Sequence, residues 1–282
     1  MATLIREMHE VRSLTEQIHL EGKRIGLVPT MGFLHQGHLS LIARAKQDSD
    51  FVLTTLFVNP TQFGPTEDFA TYPRDVERDA RLAFGAGADA LFVPATGAIY
   101  PEGYDTFVHV GTLTDVLEGK SRPGHFRGVA TIVAKLFNIT RPDVAFFGQK
   151  DAQQVAVIRK MVRDLDFNIE IVVCPIIREP DGLAMSSRNT YLTSAQRQEA
   201  TVLWKSLQKA EVLIRGGERN ASVVIGAVRD MITHASSGVI DYISIADAIT
   251  LAEMTECRGQ ILISLAVRFG KTRLIDNMTV TA

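Results

Sequence analysis

Val28-Pro-Thr-Met-Gly-Phe-Leu-His-Gln-Gly-His-Leu-Ser-Leu-Ile42 carries a short apolar strand pattern through a glycine-containing turn into a helical pattern. A strand-to-helix junction of this kind is the repeating unit of a parallel α/β sheet, and such sheets bind ligands outside the carboxyl ends of their strands. Gly37 lets backbone approach a ligand closely, and the helix start that follows offers N–H groups and a positive dipole end to an anion. His35 and His38 flank that glycine as His-x-Gly-His. Both imidazoles can face one anion and donate to phosphate oxygens. The alternative is a turn in which one histidine caps the helix and the other packs. A zinc site is disfavoured, because no acidic or third histidine ligand stands at HExxH-like spacing.

Outward from this junction, strand patterns at 25–28, 51–58, 90–93, 144–147 and 169–173 alternate with helical stretches. The clearest helix covers 129–139, where Val129, Ile132, Val133, Leu136 and Phe137 form one apolar stripe. Others are expected near 75–84 and 152–165. Leu4, Ile5, Met8, Val11 and Leu14 also recur at helical spacing. The alternation predicts an α/β fold with a Rossmann-like doubly wound parallel sheet. After Pro175 the pattern changes. A turn-rich loop at 178–189 precedes helices at 194–215 and 221–234, joined by Gly216-Gly217, and strands at 241–245, 261–267 and 272–275. This order suits a smaller C-terminal α+β domain, so the expected division is 1–176 and 177–282. There is no internal repeat.

The length of 282 residues fits two domains, and 46% hydrophobic residues suffice for a sizeable core. Thirty basic against 32 acidic residues give a net charge of −2, which removes the electrostatic case for nucleic acid or an anionic membrane as main partner. No apolar run approaches membrane-span length, and the N-terminus has neither the basic nor the apolar region of a signal peptide. Cys174 and Cys257 form no CxxC pair, so a disulfide framework is not expected. The expected compartment is the cytosol.

Three further segments bear chemistry. Phe146-Phe-Gly-Gln-Lys-Asp-Ala-Gln-Gln154 again joins a strand end to a helix. Gly148 permits close approach, Lys150 supplies a point charge for phosphate, and Asp151 either caps the helix or holds a ribose hydroxyl or a metal. A capped helix with a solvated lysine explains the same string. Met185-Ser-Ser-Arg188 sets two hydroxyls and a guanidinium on a loop, which suits phosphate as well as an ordinary solvated turn. Val58-Asn-Pro-Thr-Gln-Phe63 places Asn59 and Gln62 where several neutral hydrogen bonds are available to a small hydroxylated or carboxylated substrate.

The His-x-Gly-His junction and the Met-Ser-Ser-Arg loop together resemble the signatures of the nucleotidylyltransferase superfamily. Pro29–His38, Phe57–Phe63, His125-Phe-Arg-Gly-Val129, Phe147–Gln154 and Asp181–Asn189, in this order, resemble the pantothenate synthetases over essentially the whole chain. The resemblance implies an ATP-dependent ligase that condenses (R)-pantoate with β-alanine through a pantoyl adenylate, giving pantothenate, AMP and pyrophosphate for coenzyme A biosynthesis. It implies Mg2+, a cytoplasmic homodimer, and an ATP site formed by Met31, Gly32, Phe33, Leu34, His35, Gln36, Gly37, His38, Gly148, Gln149, Lys150, Asp151, Ile177, Met185, Ser186, Ser187 and Arg188. It further implies that Gln62 and Gln154 orient pantoate beside Asn59, with Gln62 also near β-alanine. His35, His38, Lys150 and Ser186-Ser187-Arg188 would stabilise phosphate charge, His38 being the family's assigned proton donor. The chemistry favours a phosphate-stabilising role for His38, because an attacking carboxylate has no proton to lose. Two rivals remain: another adenylyltransferase or a truncated tRNA synthetase, and a non-catalytic nucleotide-binding protein on the same fold.

Overall fold

A computed structural model describes residues 2–65 and 67–282. Its contacts divide the chain into two units, Met1–Pro175 and Ile176–Ala282. In the first unit, β1 (Thr3–Ile5), β2 (Ile25–Thr30), β3 (Phe51–Leu56), β4 (Ala90–Phe92), β5 (Val144–Gly148) and β6 (Glu170–Cys174) form one sheet in the order β1-β4-β3-β2-β5-β6. Every pairing in it is parallel. The helices are α1 (Met8–Leu20), α2 (Gln36–Asp48), α3 (Val76–Gly85), the short α4 (Thr96–Ile99) and α5 (Glu118–Ser121), α6 (His125–Thr140) and α7 (Ala152–Asp164). Helices α2 and α3 cover one face, and α1, α6 and α7 form the other layer. Both faces are therefore buried, which is why β2 to β5 read as near-continuous apolar runs rather than alternating ones. The expected doubly wound α/β fold is borne out.

The strand order reverses between β2 and β5. Their pairing stops early, at Gly26–Val144 and Leu27–Ala145, although both strands continue. The Ile25 carbonyl accepts from the Asp143 N–H on the β5 side, at 3.0 Å, whereas the Thr30 carbonyl accepts from Phe57 on the β3 side, also at 3.0 Å. By strand alternation Pro29 faces β5, and a proline has no N–H to continue that ladder. The two strand ends part there and leave a crevice between them.

The N-terminal apolar residues divide between two elements, contrary to the single helical pattern expected. Thr3 donates to the Asp89 carbonyl at 3.1 Å and Val93 donates to the Ile5 carbonyl at 2.8 Å, so Leu4 and Ile5 are drawn onto the sheet edge. The helix begins only at Met8.

In the second unit, α8 (Ser194–Glu199), α9 (Val202–Arg215) and α10 (Ala221–Ala235) precede the antiparallel strands β7 (Val239–Asp247), β8 (Gln260–Phe269) and β9 (Thr272–Thr281), in sheet order β7-β8-β9. The stretch expected as one helix at 194–215 is two. Thr201 and Leu203 donate to carbonyls three residues back, Gln198 and Ala200, and this tightening interrupts the α-helical ladder. Leu203, Leu207, Ala210 and Ile214 of α9 and Val224, Val228 and Ile232 of α10 lie in one core with Ile261, Ile263, Leu265 and Val267 of β8. A period near 3.6 in the helices thus meets a period of 2 in the strand.

Candidate active site

The turn between β2 and α2 is held from α3. Gly32 and Phe33 have positive φ, +90° and +50°, which turns consecutive N–H groups inward. The Phe33 and Leu34 N–H groups donate to the Asp79 carboxylate at 2.6 and 2.8 Å, and Asp79 is only 1% exposed. Neighbouring Arg78 donates to the Leu34 carbonyl at 2.9 Å and sets its guanidinium 4.9 Å from the centre of the Phe33 ring. Neither residue was signalled by the sequence, because an acid in the first turn of a helix already has a reason to be there in the helix dipole.

His35 is the N-cap of α2, and its Nδ1 accepts the Gly37 N–H at 3.1 Å. His38 reaches back, its Nδ1 accepting the His35 N–H at 3.3 Å. This is a capping box made from two imidazoles. Both rings cap, where the alternative had one capping and the other packed: capping engages Nδ1 of each ring, and each neutral ring then carries its proton on Nε2. Burial lowers the His35 pKa to about 4, helped by the charge of Lys150. Burial lowers that of His38 to about 3, with His35 and then Lys150 adding to it.

Those electrostatic couplings place Lys150, at the end of β5, in the field of both rings, and Asp151 acts on His35 with the opposite sign. Asp151 occupies the N-cap position of α7, yet its side chain makes no capping hydrogen bond. A Cβ on Gly148 would meet nothing within 4 Å, so the backbone there is open to close approach. Gln154 lies in the first turn of α7. Beside it, buried Gln153 ties α7 to the 113–118 segment, accepting from Glu118 N–H at 3.0 Å and donating to the Leu113 and Val116 carbonyls at 2.8 and 2.7 Å.

After β3, Pro60–Gln62 forms a 3-10 turn pressed onto α6. A Cβ on Gly128 would lie 2.3 Å from the Thr61 carbonyl oxygen, so only glycine permits this approach. Asn59 is 1% exposed and spends both amide protons inside the protein, on Gln62 Oε1 at 3.0 Å and on the Gly128 carbonyl at 3.2 Å. Gln62 Nε2 lies 2.9 Å from Met31 Sδ, which joins this turn to the β2–α2 turn. The Gln62 carbonyl contacts His125 Nδ1 at 2.8 Å. Arg122 Nη1 stands 3.1 Å from His125 Nε2, and its guanidinium grips Glu67 through two bonds of 2.6 Å. Burial, followed by the Arg122 charge, lowers the His125 pKa to about 4.

Ile177, Met185, Ser186, Ser187 and Arg188 belong to the second unit. The expected turn-rich loop is a small hairpin there: Met185 N–H donates to the Ile177 carbonyl at 2.9 Å and Glu179 N–H to the Leu183 carbonyl at 2.8 Å. Arg178 anchors it, bonding both Asp276 carboxylate oxygens at 2.7 and 2.9 Å and stacking 3.7 Å from the centre of a Trp204 ring. Ser186 then caps the 3-10 turn Ser187–Tyr191, its side chain accepting the Arg188 N–H at 3.2 Å.

Comparison with known proteins gives one consistent result. The family described as pantoate-beta-alanine ligase is matched over residues 3–279. A pantothenate synthetase of Acetivibrio thermocellus is 57% identical over 92% of this chain and 92% of its own. One from Moorella thermoacetica is 55% identical over 98% and 97%. Among solved structures, pantothenate synthetase from Thermus thermophilus superposes with a TM-score of 0.94 at 43% identity, covering 100% of both chains. Pantoate-beta-alanine ligase from Francisella tularensis, complexed with beta-gamma ATP and beta-alanine, superposes with a TM-score of 0.81 at 35% identity, covering 99% of this chain and 97% of that one.

Proposed function

The chain belongs to the pantoate–β-alanine ligase family and is a ligase of that kind, and from this we propose how its residues divide the reaction. The pantoate carboxylate attacks the α-phosphorus of ATP, the bond to pyrophosphate breaks, and a pantoyl adenylate forms. The β-alanine nitrogen then attacks the acyl carbon, loses a proton, and AMP leaves. Neither step needs a covalent protein intermediate. Both need charge stabilised on phosphate and two small substrates held in place.

The observation that carries this assignment is the pair of imidazoles whose Nδ1 atoms accept backbone N–H groups beside the charge of Lys150. Their Nε2–H groups serve as neutral donors to phosphate oxygens, with Lys150 as the point charge. In this role His38 is a phosphate stabiliser, because an imidazole held neutral has no acidic proton to give at pH 7. Within the first unit, Met31 to His38, Gly148, Gln149 and Asp151 line the nucleotide; within the second, Ser186, Ser187 and Arg188 carry groups suited to donating to phosphate. Gln62 and Gln154 bind pantoate, and Asn59 acts by orienting Gln62.

ATP enters as its Mg2+ complex in this reading. Magnesium is commonly held by one or two carboxylates together with substrate phosphates. The exposed Asp151 carboxylate beside His35 fits that mode and is the ligand proposed. When bound, the ion would offset negative charge on the leaving pyrophosphate. The proposed assembly is a homodimer and the proposed compartment the cytoplasm; no helix among the described residues is long and apolar enough to cross a membrane.

The deciding experiment measures AMP and pyrophosphate release with ATP and β-alanine, with and without (R)-pantoate. Release of both only when pantoate is present is expected. Release independent of pantoate, or nucleotide binding without any release, would overturn the assignment.

A further inference from the structure

Tyr100 closes α4, on the far side of the Asn59 amide from Gln62. Its hydroxyl lies 2.8 Å from Asn59 Oδ1 and 3.2 Å from Thr61 Oγ1. The ring is held edge-on by Tyr104, with centroids 5.0 Å apart, and has the Lys135 ammonium 5.6 Å from its centre. The polarity of the Asn59 amide is set by two groups that have no choice of role. The Thr61 N–H can only donate, so the atom facing it at 3.4 Å is oxygen; the Gly128 carbonyl can only accept, so the atom facing it at 3.2 Å is nitrogen. The remaining Asn59 N–H donates to Gln62 Oε1. That engages Gln62 Oε1 and leaves Nε2 as the group turned toward Met31 Sδ. A thioether is a weak acceptor, which a substrate oxygen readily replaces.

Of the contacts to Asn59 Oδ1, those from Thr61 measure 3.0 and 3.4 Å, and the one from Tyr100 is the shortest at 2.8 Å. We propose that Tyr100 is a positioning residue for the carboxylic-acid substrate: acting through Asn59, it holds Gln62 with its N–H donors toward pantoate oxygen. The assignment rests on Gln62 being a pantoate ligand. Burial pushes the Tyr100 phenol up to about 12, so it remains a hydrogen-bond donor throughout the physiological range.

The test compares Tyr100→Phe, Gln62→Ala and the double variant, reading kcat/KM for pantoate at saturating ATP and β-alanine together with KM for ATP and the melting temperature. Tyr100→Phe is expected to lower kcat/KM for pantoate about tenfold, the scale of one lost hydrogen bond, with KM for ATP within about twofold of the parent. In the Gln62→Ala background the same change should cost less than about twofold, because the residue through which it acts is gone. Equal losses in both backgrounds, or KM for ATP rising in step with a fallen melting temperature, would assign Tyr100 a general structural role and overturn the proposal. If Tyr100→Phe is silent while Gln62→Ala is damaging, only the Tyr100 relay fails. If Gln62→Ala itself leaves pantoate kinetics unchanged, the reading of Gln62 fails and takes the relay with it.

Discussion

The rings of His35 and His38 stand 4.1 Å apart, centroid to centroid, and each accepts a backbone N–H at Nδ1. Two imidazolium ions at that separation would repel each other and would forfeit the capping bonds, so the folded state favours both rings neutral. The unfolded chain takes up these protons near pH 6.5, whereas the folded chain does so only near 4 for His35 and 3 for His38. Their contribution to stability is therefore complete above pH 6.5 and is lost as pH falls from there toward 4 for His35 and 3 for His38. Melting curves should show a loss of about 2 kcal/mol per histidine, about 4 kcal/mol for the pair, between pH 6.5 and 4.5. A His35→Gln, His38→Gln double variant should flatten that slope, and an unchanged slope would place the histidines outside the acid response.

His38→Ala is expected to depress formation of the pantoyl adenylate far more than its consumption, since phosphate charge grows most in the first half-reaction. Single-turnover kinetics, started either from ATP and pantoate or from preformed adenylate, separate the two steps. Equal losses in both would count against a phosphate-stabilising role.

Lys150→Ala should cost about 3–4 kcal/mol in the first half-reaction, the scale of a preorganised electrostatic contact. A loss below about 1 kcal/mol would remove Lys150 from the site. A second readout is independent of turnover: the Lys150 charge lowers the pKa of both histidines, so NMR titration of the variant should show both values rise.

Asp79→Asn replaces one of two acceptor oxygens with an NH2 group facing the Phe33 or Leu34 N–H, and deprives Arg78 of a charged partner 3.1 Å away. For a carboxylate this deeply buried the expected destabilisation is about 2–4 kcal/mol, measured by chemical denaturation. The turn that carries Met31 to His35 should loosen with it, so KM for ATP is expected to rise while KM for β-alanine changes little.

The β2–α2 junction and the β5–α7 junction were legible because their signals are local: apolar run, glycine, polar residues and helical period follow one another within about fifteen residues. The same locality explains the misses. A three-residue edge strand such as β1 has no room to show a period, and Leu4 and Ile5 fit a helical spacing equally well. Asp79 serves a turn 45 and 46 positions earlier in the chain, and Tyr100 serves Asn59 from 41 positions away. Nothing in their immediate neighbourhoods marks either. Asn59 stood out in the sequence as a polar residue in a strand-end turn, but its engagement with Gln62 and Gly128 depends on α6 pressing against the turn, which only the folded chain reveals.

The missing N–H of Pro29 gives the sheet a stop that chemistry cannot undo. Two parallel strands running side by side tend to zip to their ends, and a gap kept open by charge would close or widen with salt and pH. Here the last donor that could bridge β2 to β5 was never part of the covalent structure. The mouth of the crevice is thus written into a pyrrolidine ring, indifferent to ionic conditions and present before any substrate arrives. If the nucleotide binds here as proposed, it meets strands that are already apart, and the energy of its contacts is left for holding phosphates rather than for parting backbone.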